Sequence, residues 1–138
     1  MRLFSTEAVS KYHPDKNADQ ISDAVLTACL AQDPRSRVAC ECLVKGQTIV
    51  LAGEITTKAT VDFEAIARRV AAKLHYPVEK IVNLLSRQSP EIHAAVDKPH
   101  KGQAIAAGDQ GMMVGFATRD TRSMLPYGQD VACRIIKA

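Results

Sequence analysis

The chain has 138 residues, room for one ordinary core or for one compact domain and part of a second. Hydrophobic residues at 46% and charged residues at 24% are globular proportions, and a net charge of +3 spread over scattered Lys and Arg without interleaved aromatics argues against nucleic-acid binding. No apolar run approaches bilayer length and the N-terminus lacks a signal-peptide plan, so a cytoplasmic chain that binds neither membrane nor nucleic acid is expected.

Residues 2–10, "RLFSTEAVS", are short and mixed, and read as a first strand or an extended arm. "SKYHPDKNADQISDAV" follows, with His13, Asp15, Lys11 and Lys16 gathered around Pro14. Two readings of this cluster stand side by side. Asp15 can simply offset the macrodipole and help satisfy free N–H groups where a helix begins. Alternatively, a helix start already suits phosphate, His and Lys add donors, and Asp holds a divalent cation. From Asn17 to Gln32, Ile21, Val25, Ala28 and Cys29 repeat at helical spacing, and Asp33-Pro34 ends the helix.

Residues 36–56 read as a β-hairpin turning near Gly46, with Val38, Cys40, Cys42 and Val44 on one face of its first strand. Both faces of the hairpin are largely apolar, so both are expected to be covered, one of them by another subunit. Glu41 and Glu54 fall on adjacent strands. A two-residue turn at 46–47 places them on one face, two positions from direct pairing, and a three-residue turn does not. The four cysteines (Cys29, Cys40, Cys42, Cys133) lack a second pair at zinc spacing and read as small apolar residues in a reducing compartment.

Residues 61–76 form a second amphipathic helix, N-capped by Asp62 and closed by Pro77, with Phe63, Ile66, Ala67, Val70 and Leu74 inward. A third strand spans 80–88, and Ser89-Pro90-Glu91 starts a short helix. Residues 97–111 read as a loop, 112–118 as a resumed strand, and 127–138 as a helix running on past Lys137, as in a portion of a larger design.

Four stretches, "FSTEAVSKYHPDKNADQISDAVL", "RVACECLVKGQTIVLAGEITT", "RQSPEIHAAVD" and "AAGDQGMMVGFAT", together resemble the S-adenosylmethionine synthetase (methionine adenosyltransferase) family, in the family's order. The match covers nearly the whole chain but only about the first third of a full-length member. The resemblance implies an α/β fold of α+β type, an antiparallel sheet with helices on one face and the other face packed on another subunit. Residues 1–98 then form the N-terminal-type domain and 99–138 a linker and the start of an incomplete central-type domain.

The resemblance also implies the reaction: methionine sulfur attacks C5′ of ATP and displaces triphosphate, which is hydrolysed to phosphate and pyrophosphate. Carried over by position, His13 looks like the histidine beside the leaving oxygen. Lys16 and Asp109 look like ATP- or phosphate-binding groups, Asp15 like a magnesium ligand and Glu41 like the ligand of an activating potassium ion. Glu54, Gln88 and Asp109 look like groups that hold methionine, and "SPEIHAAVD" like the gating loop. The family usually has Glu-Gly before the His-Pro-Asp, where this chain has Lys11-Tyr12. Its remaining phosphate-binding lysines and arginines lie downstream of the matching positions. The expected partners are therefore ATP, L-methionine and either a homo-oligomer or a heteromeric chain that completes the site. The alternative is a non-catalytic nucleotide-binding or regulatory subunit that docks on a full-length synthetase.

Overall fold

The computed structural model describes residues 3–87 and 111–137. Helix α1 spans Pro14–Gln32, three residues earlier than the apolar spacing indicates. Proline at its first position has no N–H to satisfy and a φ already set for helix, so the helix begins as soon as His13 can cap it. Ile21, Val25 and Cys29, one turn apart, form its fully buried stripe.

Strands β1 (Arg37–Lys45) and β2 (Thr48–Thr56) pair antiparallel, with Lys45 opposite Thr48. The turn is thus the two residues Gly46–Gln47, and Gly46 takes φ +56, where glycine has no steric cost. Helix α2 (Phe63–Lys73) is N-capped by the Asp62 carboxylate, which accepts from the Ala65 N–H at 2.9 Å. It stops before Pro77 is reached. His75 turns left-handed at φ +54, His75 N–H bonds Ala72 O, and Tyr76 N–H bonds Ala71 O, a Schellman closure.

Strand β3 (Lys80–Ser86) then lies beside β2 and parallel to it, giving the order β1-β2-β3. The sheet is therefore mixed and not wholly antiparallel. The α2 crossover carries the chain back along the sheet, so β3 starts at the same end as β2. The overall class remains α+β, with the helices on one face of the sheet.

Val44, Ile49, Leu51 and Ile55 face the helices and meet Ile21, Val25, Cys29, Ile66, Ala67 and Ala71 in two adjoining clusters, both touched by Phe63, Val70 and Leu85. The opposite face carries three registered rows: Leu43–Val50–Val82, Glu41–Ala52–Leu84 and Ala39–Glu54–Ser86. Nothing among the described residues covers this face, and Leu43 and Leu84 are 62% and 61% exposed.

Residues 3–10 are an extended arm without a strand partner among the described residues. Residues 112–118 likewise form no strand, because no described strand lies alongside to take their backbone bonds; Met112, Met113, Val114 and Phe116 are exposed. Helix α3 (Tyr127–Ile135) ends at an Ile136 cap and does not run past Lys137. The helix start at Ser89-Pro90-Glu91 and residues 97–110 of the expected loop lie outside the described residues. No helix among the described residues is long and apolar enough to cross a membrane.

Two local devices hold the open end of the hairpin. The Asp33 carboxylate accepts from Lys58 N–H (2.9 Å), Arg35 N–H (3.1 Å) and Thr57 Oγ1 (3.5 Å), tying the end of α1 to the segment after β2. The Lys58 amide first, then the Arg35 amide, holds its pKa below the usual carboxylate value. A depressed folded pKa contributes stability above the unfolded value, about 4, that is lost as pH falls through the folded one. Asp33→Asn is therefore expected to lower Tm at pH 7, with the gap to wild type closing below about pH 4. Thermal melts across that range check it; a gap that does not vary with pH would exclude the linkage.

Gly53 is the second device. Its φ is +128, and a Cβ there would lie 2.1 Å from the Ala39 carbonyl oxygen, a backbone atom that cannot step aside. Gly46 has a positive φ but open space around it. Gly53→Ala is expected to cost at least about 3 kcal/mol in urea unfolding and Gly46→Ala about 1 kcal/mol. Equal costs would show that the Ala39 contact carries no weight.

Candidate functional site

The loop from Ser10 to His13 is fastened to the first turns of α1 by side chains the helix itself supplies. Asn17 Nδ2 donates to the Tyr12 carbonyl (3.4 Å), and Gln20 Nε2 donates to the Lys11 carbonyl (3.3 Å) and the Lys16 carbonyl (3.0 Å). Ser10 contributes from the other side: its carbonyl accepts the His13 N–H at 3.0 Å and its Oγ accepts the Tyr12 N–H at 3.3 Å. His13 is left with φ −61 and ψ 141, the extended geometry of an N-cap.

In that position His13 Nδ1 accepts the Asp15 N–H at 3.2 Å. The cap is the imidazole; Asp15 lies in the first turn, where its charge offsets the macrodipole, and its carboxylate makes no cap hydrogen bond. An accepting Nδ1 carries no proton, so in the neutral ring Nε2 carries it and remains a donor. Asp15 occupies the first turn with its side chain 85% exposed and Oδ2 3.7 Å from His13 Nδ1. Lys16 bends to Asp19, Nζ to Oδ2 at 3.0 Å, an exposed i,i+3 pair. The site end of α1 thus combines the positive end of the helix dipole, an imidazole donor and an exposed carboxylate, a set suited to a phosphate with a hard cation.

Asn17 was not singled out from sequence. It is 1% exposed, and its Oδ1 is buried without a hydrogen-bond partner. Its signal was its spacing: Asn17 sits one helical turn before Ile21 on the same buried stripe, the one polar residue in the series 17, 21, 25, 29.

Glu41 and Glu54 share one face of the sheet. Glu41 is opposite Ala52 and Glu54 opposite Ala39, so the two carboxylates sit two positions apart diagonally. Glu41 is exposed and Glu54 half-buried, and neither has an ion-pair partner among the described residues. They stand on the uncovered face, whereas α1 packs on the covered one. Ile21 packs with Val44 and Ile49 beside the hairpin turn, and Val25 and Cys29 pack with Ile55 at the other end. His13 therefore lies at the turn end of the covered side, away from Glu54. A single chain brings His13, Asp15 and Lys16 together, brings Glu41 and Glu54 together, and keeps the two groups apart. Gln88, Asp109 and the "SPEIHAAVD" stretch lie outside the described residues.

Two concavities among the described residues include none of these groups. One, of about 240 Å³, lies under Val61, Phe63 and Leu85; the other, of about 430 Å³, lies between Arg122, Tyr127 and Arg134. Burial pushes the Cys42 pKa up to about 12 and raises those of Cys40 and Cys29, so all three are protonated near neutrality.

Comparison with known proteins adds the family. Residues 1–99 match the S-adenosylmethionine synthetase N-terminal domain, and residues 104–138 match the central domain of the same synthetase. An S-adenosylmethionine synthase of Bacteroides thetaiotaomicron is 46% identical over an alignment covering 98% of this chain and 33% of the relative. One from Akkermansia muciniphila is 48% identical, covering 90% and 35%, and one from Bacteroides fragilis 45%, covering 97% and 33%. The chain spans about a third of the length of these relatives. With the His-Pro-Asp cap at the head of α1 and the paired carboxylates on the hairpin, this match identifies the chain as a member of the S-adenosylmethionine synthetase family.

Proposed function

We propose that this chain supplies the N-terminal part of a methionine adenosyltransferase, which forms S-adenosylmethionine from ATP and methionine and releases phosphate and pyrophosphate. Residues 1–98 serve as its N-terminal-type domain and 99–138 as the beginning of a central-type domain. The observation that carries the reading is the N-cap: His13 spends Nδ1 on the helix and keeps Nε2–H for a ligand at an anion-attracting helix end. Cysteines that are all free, with no disulfide among the described residues, fit a reducing cytoplasmic setting.

In the reaction, a sulfur lone pair forms the S–C5′ bond while the C5′–O5′ pair leaves with the triphosphate. Negative charge grows on that oxygen, and a hydrogen bond from His13 Nε2 strengthens as it does. Lys16 and Asp109 are assigned to ATP and its phosphates. Glu54 and Gln88 hold the methionine ammonium and carboxyl groups, with Asp109 close by. The ammonium gives the half-buried Glu54 carboxylate a partner.

The residues present fit the ions the family implies. A lone exposed carboxylate at a phosphate-attracting helix end suits magnesium, which keeps waters and phosphates as most of its ligands; Asp15 would be its protein ligand. Glu41, without an ion-pair partner among the described residues, would hold potassium. When bound, these cations offset the charge of the triphosphate.

The separation of the two residue groups makes a second chain part of the reading. His13 on one side of the sheet and Glu54 on the other meet only if another copy, or a chain with the remaining synthetase domains, is brought against the uncovered face. Light scattering is thus expected to give a mass above the monomer through the Leu43–Val50–Val82 face, either for the purified chain as a homo-oligomer or for the chain mixed with its complementing chain as a heteromer. A monomer mass in both cases and at every concentration would sink this part of the proposal.

Turnover is expected only when a complementing chain supplies the downstream phosphate-binding residues. In that complex His13→Ala is expected to lower kcat about a hundredfold with little change in KM for methionine. Glu54→Gln is expected to raise KM for methionine more than it lowers kcat, because the ammonium changes little during displacement. Steady-state assay of both variants tests the pair. Unchanged kcat in the first and unchanged KM in the second would leave the regulatory, non-catalytic subunit as the better account.

A further inference from the structure

We infer that Gln129, on α3, is a positioning residue for His13 and acts through the N-terminal arm. The arm has no strand partner among the described residues and would fray unless tied down. It is tied at two places. At Ser10 it carries the turn that sets the His13 cap, through the Ser10 carbonyl and Oγ. At Thr6 and Glu7 it is gripped by α3: Thr6 Oγ1 donates to Gln129 Oε1, and Gln129 Nε2 donates to the Glu7 carbonyl at 3.2 Å.

The grip is shaped for this contact. A primary amide can accept from a hydroxyl with its oxygen and donate to a carbonyl with its nitrogen at once. Beside it Gly128 lets the Thr6 methyl lie on the helix, where an added Cβ would come within 3.1 Å of it. Only Ala8 and Val9 separate the Glu7 anchor from Ser10, and so short an extended tether leaves little slack.

Without the α3 anchor, Ser10 hangs on a free arm and the His13 cap samples other geometries. The bond from Asp15 N–H to Nδ1 then opens part of the time, and the imidazole loses its single tautomer. This links the segment that matches the central domain to a residue of the N-terminal one. Its consequence for turnover rests on the proposed role of His13, whereas its consequence for the imidazole does not.

The test reads His13 directly in the full 138-residue chain. Long-range ¹H–¹⁵N imidazole correlations give the tautomer of each histidine, His13→Ala identifies the signal, and amide exchange follows Asp15. Gln129→Met keeps length and volume but removes both bonds to the arm, along with a weaker one from Nε2 to Cys133 Sγ on α3 itself; Thr6→Val removes the hydroxyl; Thr6→Ser keeps it. Wild type and Thr6→Ser are expected to show His13 as the Nε2–H tautomer. Gln129→Met and Thr6→Val are expected to show a tautomer mixture and at least about tenfold faster Asp15 exchange, with His75 unchanged. Wild-type tautomer and exchange in Gln129→Met would overturn the inference. In the complemented enzyme Gln129→Met is expected to lower kcat about tenfold at unchanged KM. A shifted tautomer in Gln129→Met together with full kcat in His13→Ala would uphold the positioning and overturn the catalytic role instead.

Discussion

The two-residue turn at Gly46–Gln47 is the constraint on which the sheet depends. Side chains alternate along a strand, so shifting the β1–β2 register by one residue would send Ile49, Leu51 and Ile55 to the uncovered face and bring Glu54 into the core. The turn also organises the third strand. Tyr76 donates its hydroxyl to the Gly46 carbonyl, and Glu79 and Lys80 both donate N–H groups to the Gln47 carbonyl, at 2.9 and 3.2 Å. The residues that end α2 and begin β3 are thus bonded to the same two residues that fix the hairpin, and one local geometry sets the register of all three strands.

The head of α1 follows a different logic. Its start is determined by polar groups from within the helix reaching back to the loop before it. Asn17 and Gln20 hold the carbonyls of Tyr12 and Lys11, and together with the Ser10 turn they set His13 to present Nδ1 to the first turn. Burying Asn17 has a cost, since its Oδ1 is left without a partner, and a buried amide oxygen of this kind is worth about 1–3 kcal/mol of lost stability. A Leu or Ile at position 17 would complete the stripe of Ile21, Val25 and Cys29 but could not bond Tyr12. The helix forgoes packing there and gains a fixed entry to the His13 cap.

Much of this was legible in the residues. The stripe of α1, the Asp62 cap, the hairpin and its turn at Gly46 all follow from local periodicity and turn chemistry, and the shared face of Glu41 and Glu54 follows once the turn has two residues. Other features did not follow. The parallel pairing of β3 depends on the route of the crossover, which no window of sequence around 80–86 encodes. The end of α2 at Lys73 depends on His75 adopting φ +54, a conformation uncommon for a residue with a Cβ and masked by the nearby Pro77. The strand expected at 112–118 has the right composition, but a strand exists only with a neighbour, and composition does not supply one. At the site, residue types were visible and sidedness was not: that His13 and Glu54 fall on opposite sides of the sheet emerges only when α1 is packed.

Under the proposed function that sidedness has an energetic use. Glu41 and Glu54 stand in rows with Ala52, Leu84 and Ala39, and the neighbouring row is Leu43, Val50 and Val82. A chain brought against this face buries the apolar rows, and the same contact removes water from the two carboxylates. Desolvation penalises a carboxylate that has no partner and strengthens its attraction to a cation that is present. Potassium at Glu41 and the methionine ammonium at Glu54 are cations of that kind. The burial that would hold the subunits together thus also sharpens the binding of both, so assembly and substrate capture draw on the same surface.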